Sequence, residues 1–406
     1  MFIILLVLVF IFLFKMRYHE NIITLDFRSF YFGSRVLMDG DNIYEQDNLK
    51  KKAEEVGIDD GVYPYLYTPH TAFYLIPIAS LSPNWAHKSW LLIMILMTLL
   101  LYALLLKITL KSLDDKTIKA HTSFILITLL FFAIQAFASN IRCGQINILV
   151  LASIVASIYL SLSEKNQIWA GLALAPAILI KTTPLGLLVY FLLNKQFKVI
   201  IGAIIGIITL TIPLLFFQNS LNAIHDFIEF SRFLGYGSQI PDLFDISVAT
   251  NCSINGFWAR FGFAEGRIRF MTYLSFIVLA IPLVFCHLKY RKREVYKLLL
   301  LPYLIFMTIG SPVTYVTHTI FIFPGLLLWA KHLIDKGSWK KIIITLVLAM
   351  LVSASWPFKY NHYGINYFLF RSLNLYFLLI IYILSLVSIF RECAMTHCNT
   401  SKLKHP

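Results

Sequence analysis

Residues 85–108 read WAHKSWLLIMILMTLLLYALLLKI, an apolar run in which only His87, Lys88 and Lys107 can carry charge. About 20 such residues are enough for a helix to cross the roughly 30 Å of a bilayer's hydrocarbon. Similar runs recur along the 406 residues, of which 58% are hydrophobic, and the mean hydropathy is +0.74. We therefore predict an all-α polytopic membrane protein with about eleven to twelve membrane helices.

If the predicted spans cross the membrane in alternating directions, the charged residues of the loops are divided unequally between its two sides. One side carries 19 Lys and Arg against 6 Asp and Glu, and the other carries 16 against 15. Because cytoplasmic loops are enriched in Lys and Arg, the net charge of +14 indicates topology. It does not predict nucleic-acid binding. We expect a multi-pass protein of the plasma membrane.

The predicted organisation is a single membrane domain over residues 1–390 with a short cytoplasmic tail, 391–406. The apolar segment Met1–Phe14 is expected to be an uncleaved first helix, because charged residues rather than a cleavage site follow it. Two long outer loops are predicted, at residues 15–84 and 218–269.

The first outer loop opens with Asp26, which lies just after the expected membrane boundary. Phe27, Phe30, Tyr31 and Leu37 follow at helical spacing, which predicts an amphipathic helix along the membrane surface. Asp26 has two interpretations at this point. It could cap the start of the helix, or it could be a general base for a lipid-borne substrate.

Several other polar residues interrupt the apolar runs, nearly all on the predicted outer side. Charged groups at membrane depth are costly, so their clustering at one face suggests a shared polar cavity. Arg and Lys beside one carboxylate suit an anionic phosphate and a hydroxyl that is to be activated. Simple snorkelling to the interface remains an alternative for each residue. The set consists of Arg28, Arg35, Arg142, Gln145, Asn147, Lys181, Asn251, Ser253, Arg260 and His318.

Two further segments are informative. Ile168–Ile180 and Leu185–Leu193 are each too short to span comfortably, and Lys181 and Pro184 fall between them, which suggests two half-helices meeting a polar cavity. The segment 63–69, YPYLYTP, is aromatic and stiffened by proline. Its tyrosines could stack on a sugar or could anchor the loop among lipid headgroups.

Six sequence blocks, in order over roughly residues 24–325, resemble glycosyltransferase family 87 of the GT-C superfamily. Two departures are that Thr319 follows His318, where a second histidine is common in the family, and that Cys252 replaces a glutamine. The blocks are Asp26 with residues 40–44 (GDNIY), residues 65–69 (YLYTP) with 75–77 (LIP), residues 143–147 (CGQIN), residues 170–184 ending in KTTP, residues 251–256 (NCSING) with Arg260, and residues 311–318 (SPVTYVTH).

The resemblance implies a GT-C-type bundle that transfers a sugar, with inversion, from a polyprenyl-phosphate donor to a glycolipid or glycan at the outer face. Asp26 would be the catalytic base. No cofactor is expected, and no metal site is predicted, because a lone Asp without a second carboxylate makes a poor cation site. Arg28, Tyr65 and Tyr67 would contact the acceptor. The donor's sugar and phosphate would be held by Arg142, Gln145, Asn147, Lys181, Asn251, Ser253, Arg260 and His318. The sugar, the acceptor and the oligomeric state stay open, as does the alternative of a transporter or lipid-linked-glycan flippase.

Overall fold

The computed structural model describes residues 25–58, 61–110, 116–218, 220–232, 234–237, 246–248, 250–290, 293–354 and 372–402. Within these residues the chain is helical and contains no strand. The predicted first span, Met1–Phe14, lies outside them. The helices are α1 (Leu25–Asp39), α2 (Gln46–Glu54), α3 (Pro69–Ala79), α4 (Pro83–Leu110), α5 (Lys116–Ala133), α6 (Ala136–Cys143), α7 (Asn147–Ser161), α8 (Gln167–Ile180), α9 (Gly186–Leu193), α10 (Phe197–Phe217), α11 (Ser220–Arg232), α12 (Ile254–Ala259), α13 (Glu265–Lys289), α14 (Arg293–Ile309), α15 (Phe323–Asp335), α16 (Trp339–Ser353) and α17 (Leu373–Lys402).

The all-α polytopic prediction is confirmed. In the part of the chain that the structure describes, four helices are long and apolar enough to cross a membrane, namely α4, α10, α13 and residues 373–391 of α17. Three shorter apolar helices, Asn147–Ser161, Thr183–Leu193 and Val295–Ile309, pack among them. The half-length pieces predicted around Lys181 are present as α8 and α9.

Contacts between connecting segments that are distant in the sequence define two ends of the helical bundle. At one end the α6–α7 turn, the break between α8 and α9 and the segment before α15 come together, and we call this the site end. Tyr67 contacts Gln145 there, and Asn140 contacts the backbone of Thr317. At the opposite end His287 contacts Asn194. Lys195, Lys289, Lys331, Lys336 and Lys340 lie in or beside the described connections of this end, which we call the basic end.

Helices α8 and α10 pack backbone against backbone. A Cβ added at Gly171 would lie 2.0 Å from the backbone oxygen of Val199, and one at Gly202 would lie 2.1 Å from that of Ile168. Because the obstructing atoms are backbone, no side-chain rotation can relieve such a clash. Glycine at both positions therefore permits the two backbones to touch, and this contact fixes α8 and the Lys181 that follows it.

Two elements differ from the sequence-based expectation. The aromatic residues of α1 do not lie on a lipid surface, because Phe27 and Phe30 are fully buried by protein and stack or tilt against Trp90 of α4. The apolar run of residues 313–329, one of those counted above as a membrane helix, instead forms a 3₁₀ segment, Val316–Ile322, followed by α15. Pro324 in the first turn of α15 has no N–H to donate and would clash with a preceding α-helical turn, so the helix begins there.

We predict that Gly202→Ala destabilises the fold, because the added methyl group meets backbone and the helices must separate. The expected cost is about 1–3 kcal/mol, the range for overpacking a tight interior, and it is measured as a lower midpoint of thermal unfolding in detergent. Gly266→Ala is the matched control, since a Cβ there meets nothing within 4 Å. Equal midpoints for the two variants would contradict the α8–α10 contact.

Candidate active site

Asp26 lies in the first turn of α1 and is half-buried at the site end. The Gln145 side-chain amide hydrogen-bonds its carboxylate, and the Gln145 oxygen accepts a 3.1 Å hydrogen bond from the Tyr67 hydroxyl. The Tyr67 ring packs edge-on against Phe30, with 4.7 Å between ring centroids. The three polar side chains thus form one chain, Tyr67–Gln145–Asp26, in which the amide cannot rotate without losing both partners.

The turn between α6 and α7 places Gln145. Gly144 has a φ of 69°, in the left-handed region, and caps α6. Its N–H donates to Ile141, the N–H of Gln145 donates to Asn140 at 2.9 Å, and this pattern is a Schellman motif. The Trp90 indole N–H of α4 holds the Gly144 carbonyl at 2.8 Å. The reversal of the chain therefore has a fixed geometry, which directs Gln145 toward Asp26.

Lys181 and His318 contact each other beside the Tyr67–Gln145–Asp26 hydrogen-bond chain. The Lys181 Nζ lies 2.8 Å from the His318 Nε2 and 5.4 Å from the centroid of the Tyr67 ring. Lys181 has an extended backbone where α8 ends. Pro184 prevents α8 from continuing, because it has no N–H to donate to the Ile180 carbonyl and its ring would clash with that carbonyl. The Thr68 hydroxyl donates to the Leu179 carbonyl, which ties the Tyr67 segment to the end of α8.

His318 is positioned by its own 3₁₀ turn and by a buried amide chain. The backbone N–H of Tyr315 donates to the His318 Nδ1 at 3.2 Å. Asn147 donates to the Asn140 side chain at 2.8 Å, and Asn140 donates to the Thr317 carbonyl at 2.7 Å. Asn147 therefore influences the position of His318 only indirectly, through Asn140 and the backbone of Thr317. Asn140 is a member of this buried chain that was not predicted from the sequence, although an asparagine seven positions before Asn147 in an apolar context was a usable signal.

The asparagine–serine block forms a second buried cluster. The Asn251 side-chain oxygen accepts from the N–H groups of Ser253 and Thr314, at 3.1 and 3.0 Å, and its amide donates to the Ile246 carbonyl at 2.9 Å. The Ser253 hydroxyl caps α12 and donates to the Pro312 carbonyl at 3.0 Å. Both side chains are fully buried. Two of their partners, Pro312 and Thr314, lie on the segment that leads into the His318 turn.

Arg260 belongs to the same cluster. Its guanidinium donates to the Val248 and Asn251 carbonyls and to the Ser372 hydroxyl over distances of 3.0–3.2 Å, through all three of its nitrogens. It is 5% exposed. The Arg260 cation therefore links the end of α12 to the residue that precedes α17.

The remaining predicted residues lie around these groups. Tyr65 is buried, donates to the Thr68 carbonyl at 2.8 Å and packs on Gly33, where a Cβ would come within 2.6 Å of its ring. Arg28 is buried, and its guanidinium lies 3.4 Å from the Gly61 carbonyl. Arg142 is exposed on the last turn of α6, three residues before Gln145. Asp26, Tyr67, Gln145, Lys181 and His318 are therefore the members that the structure brings together.

Burial sets the electrostatics of Asp26. Loss of solvation raises the pKa of the carboxyl above its usual range, while the Gln145 hydrogen bond lowers it, as a charged Lys181 would. A carboxylate with a raised pKa is a stronger proton acceptor than an ordinary aspartate. The Gln145 N–H stabilises the ionised form of this carboxyl. The site therefore combines one basic oxygen with nitrogen donors suited to an anion.

Comparison with known proteins identifies the family. The sequence model of Glycosyltransferase family 87 matches residues 65–313, which is more than half of the chain. The chain belongs to glycosyltransferase family 87. It is thus a membrane glycosyltransferase. The match includes Tyr67, Gln145 and Lys181, whereas Asp26 and His318 lie outside it. No curated protein and no solved structure matches the chain.

We predict that Arg260→Met lowers stability and leaves donor affinity unchanged in the folded fraction. The substitution deprives buried carbonyls of their donors, which costs about 1–3 kcal/mol for an unsatisfied buried group. Thermal unfolding measures the first effect and equilibrium donor binding the second. Arg267→Met is the control, because Arg267 is exposed. An unchanged midpoint with lost donor binding would instead indicate direct contact between Arg260 and the donor.

Proposed function

We propose that the protein transfers a sugar from a polyprenyl-phosphate donor to a glycolipid or glycan hydroxyl at the outer face of the plasma membrane, with inversion and with Asp26 as general base. The observation that carries the proposal is the convergence of the Asp26 carboxylate with the Lys181–His318 pair. These three residues come from α1, from the α8–α9 break and from the 3₁₀ turn before α15.

The phosphate of the donor fits the part of the site that Lys181 and His318 form. The Lys181 amine and the His318 ring present two N–H groups within 2.8 Å of each other, which suits two oxygens of one phosphate. The half-helices on either side of Lys181 leave polar backbone at the bundle end. A phosphate held there replaces the mutual contact of the two side chains by contacts to its own oxygens.

The acceptor hydroxyl fits the carboxylate side. Asp26 takes the hydroxyl proton as the acceptor oxygen attacks the anomeric carbon, and the bond from that carbon to the phosphate oxygen breaks. Polyprenyl phosphate leaves with the electron pair. Because a phosphate is a good leaving group, no second carboxylate is needed as an acid, in contrast to glycosidases. Gln145 orients the carboxylate, and Tyr67 orients Gln145.

The sidedness follows from charge. The basic end of the bundle carries the connections around Lys289 and between Lys331 and Lys341, and cytoplasmic loops are the ones enriched in such residues. The site end then faces outward. Polyprenyl-phosphate sugars are held in the membrane by their tails, so a site at the outer boundary reaches both the lipid-borne donor and an external acceptor.

We predict that Asp26→Asn lowers turnover by about 10²–10⁴-fold, the usual contribution of a general base, while donor binding is retained. The measurement is transfer of label to membrane-extract acceptor from a panel of radiolabelled polyprenyl-phosphate sugars, with purified protein in lipid. Asp226→Asn is the matched control, because Asp226 is also a buried carboxylate and accepts a 2.9 Å hydrogen bond from Gln218.

Transfer by the unmodified protein and the control alone would support Asp26 as the base and would name the sugar. Turnover retained in Asp26→Asn removes Asp26 from that role. Absence of both donor binding and transfer across the panel would favour a transporter.

We predict that Gln145→Ala moves the acidic limb of the pH–rate profile to higher pH. The base works in its ionised form, so activity is present above its pKa and is lost as pH falls through it. The Gln145 hydrogen bond lowers the pKa of Asp26, and its loss raises that pKa further. Gln135→Ala, at an exposed position near the same end, should leave the limb in place. If the acidic limb of the Gln145→Ala profile moved to lower pH, this would contradict the hydrogen bond between Gln145 and Asp26.

A further inference from the structure

The contact between Lys181 and His318 raises the question of which nitrogen holds the proton between them. Their 2.8 Å separation is that of a hydrogen bond, which needs one donor and one acceptor. A lysine ammonium has three donors and no acceptor, so it can make this bond only to a histidine nitrogen that carries no proton.

The other ring nitrogen of His318 decides the answer. The Tyr315 backbone N–H, a donor that cannot be reversed, points at Nδ1 over 3.2 Å as part of the cap of the 3₁₀ turn. Nδ1 is therefore the acceptor, and the neutral imidazole carries its proton on Nε2. Nε2–H then donates to Lys181. The lysine nitrogen must supply a lone pair, which only the uncharged amine has.

We propose that Lys181 is an uncharged amine in the substrate-free protein and takes up one proton from solvent when an anionic phosphodiester binds beside it. The inference rests on the proposed function, because it takes the donor's phosphate as the ligand. After proton uptake, the Lys181 ammonium and the His318 Nε2–H both donate to phosphate oxygens, and neither needs the other as a partner.

The groups around Lys181 are consistent with this change. The titratable side chains that face Lys181 are Asp26 from α1, Tyr67 from the segment before α3 and His318 from the 3₁₀ turn. The Tyr315 ring lies against His318, with 6.0 Å between the ring centroids. Asp26 favours a charged lysine, but its carboxylate has Gln145 as a hydrogen-bond partner. An ammonium so placed has lost much of its hydration, and a bound phosphate supplies the missing negative charge at contact distance.

The consequence is a pH-dependent affinity for the donor class. At pH values at which Lys181 of the substrate-free protein is uncharged, binding of the donor consumes one proton. The affinity for the donor therefore falls about tenfold for each unit by which the pH rises. An arginine at position 181 is always charged and removes this dependence.

The experiment is calorimetric titration of the full-length protein in lipid with a short-chain prenyl methyl phosphodiester. This probe does not itself titrate near neutral pH. Runs at one mildly alkaline pH in two buffers of different ionisation enthalpy give the number of protons taken up on binding. The variants are Lys181→Arg and Asp26→Asn, with Lys195→Arg at the basic end as the control.

The expected result is uptake approaching one proton for the unmodified protein, for Lys195→Arg and for Asp26→Asn, and none for Lys181→Arg. Binding of the diester without proton uptake by the unmodified protein would overturn the inference and leave the proposed function standing. Uptake that persists in Lys181→Arg would overturn the assignment to Lys181. Absence of diester binding to the unmodified protein would overturn both proposals.

Discussion

Two buried asparagines hold the short 3₁₀ segment on which the site depends. Asn140 donates to the Thr317 carbonyl, 177 positions away, and Asn251 accepts from the Thr314 N–H, 63 positions away. Each amide is fully buried and carries partners on both its oxygen and its nitrogen. A buried amide that loses one partner keeps the cost of its desolvation, so these bonds permit only one placement of the segment. That placement brings His318 against Lys181.

The polar residues at the site end divide according to their unused hydrogen-bonding capacity. Asn251, Ser253 and Arg260 direct their polar atoms at backbone or at Ser372, and they join the α12 region to the approach to His318. Asp26 and Lys181 are different, because each has one close side-chain partner and further capacity to bind. Catalysis needs residues with free capacity to bind, such as Asp26 and Lys181. The positions of these residues depend on the residues whose polar atoms are already bonded. The sequence blocks of the family therefore contain both.

The sequence predicted well what the bilayer dictates and poorly what tertiary contacts decide. Apolar runs identified α4, α10 and α13 because hydrocarbon tolerates only helices, and the break at Lys181 followed from local proline chemistry. The burial of α1 was not predictable, since an apolar helical face is the same against lipid and against Trp90. The roles of Arg260 and Asn140 depend on partners more than a hundred positions away, which no local pattern encodes.

The pairing of Lys181 with His318 rather than with Asp26 has a chemical reason. Among the ion pairs of the residues that the structure describes, none joins Lys181 to Asp26. A permanent pair of that kind would hold the carboxylate ionised with a low pKa and so weaken it as a base, and it would occupy the lysine before any phosphate arrived. A neutral imidazole donor keeps the lysine in place without its charge, and a neutral amide does the same for the carboxylate. In the function that we propose, the anion of the substrate then completes the site, so that the charge of the phosphate contributes to its recognition.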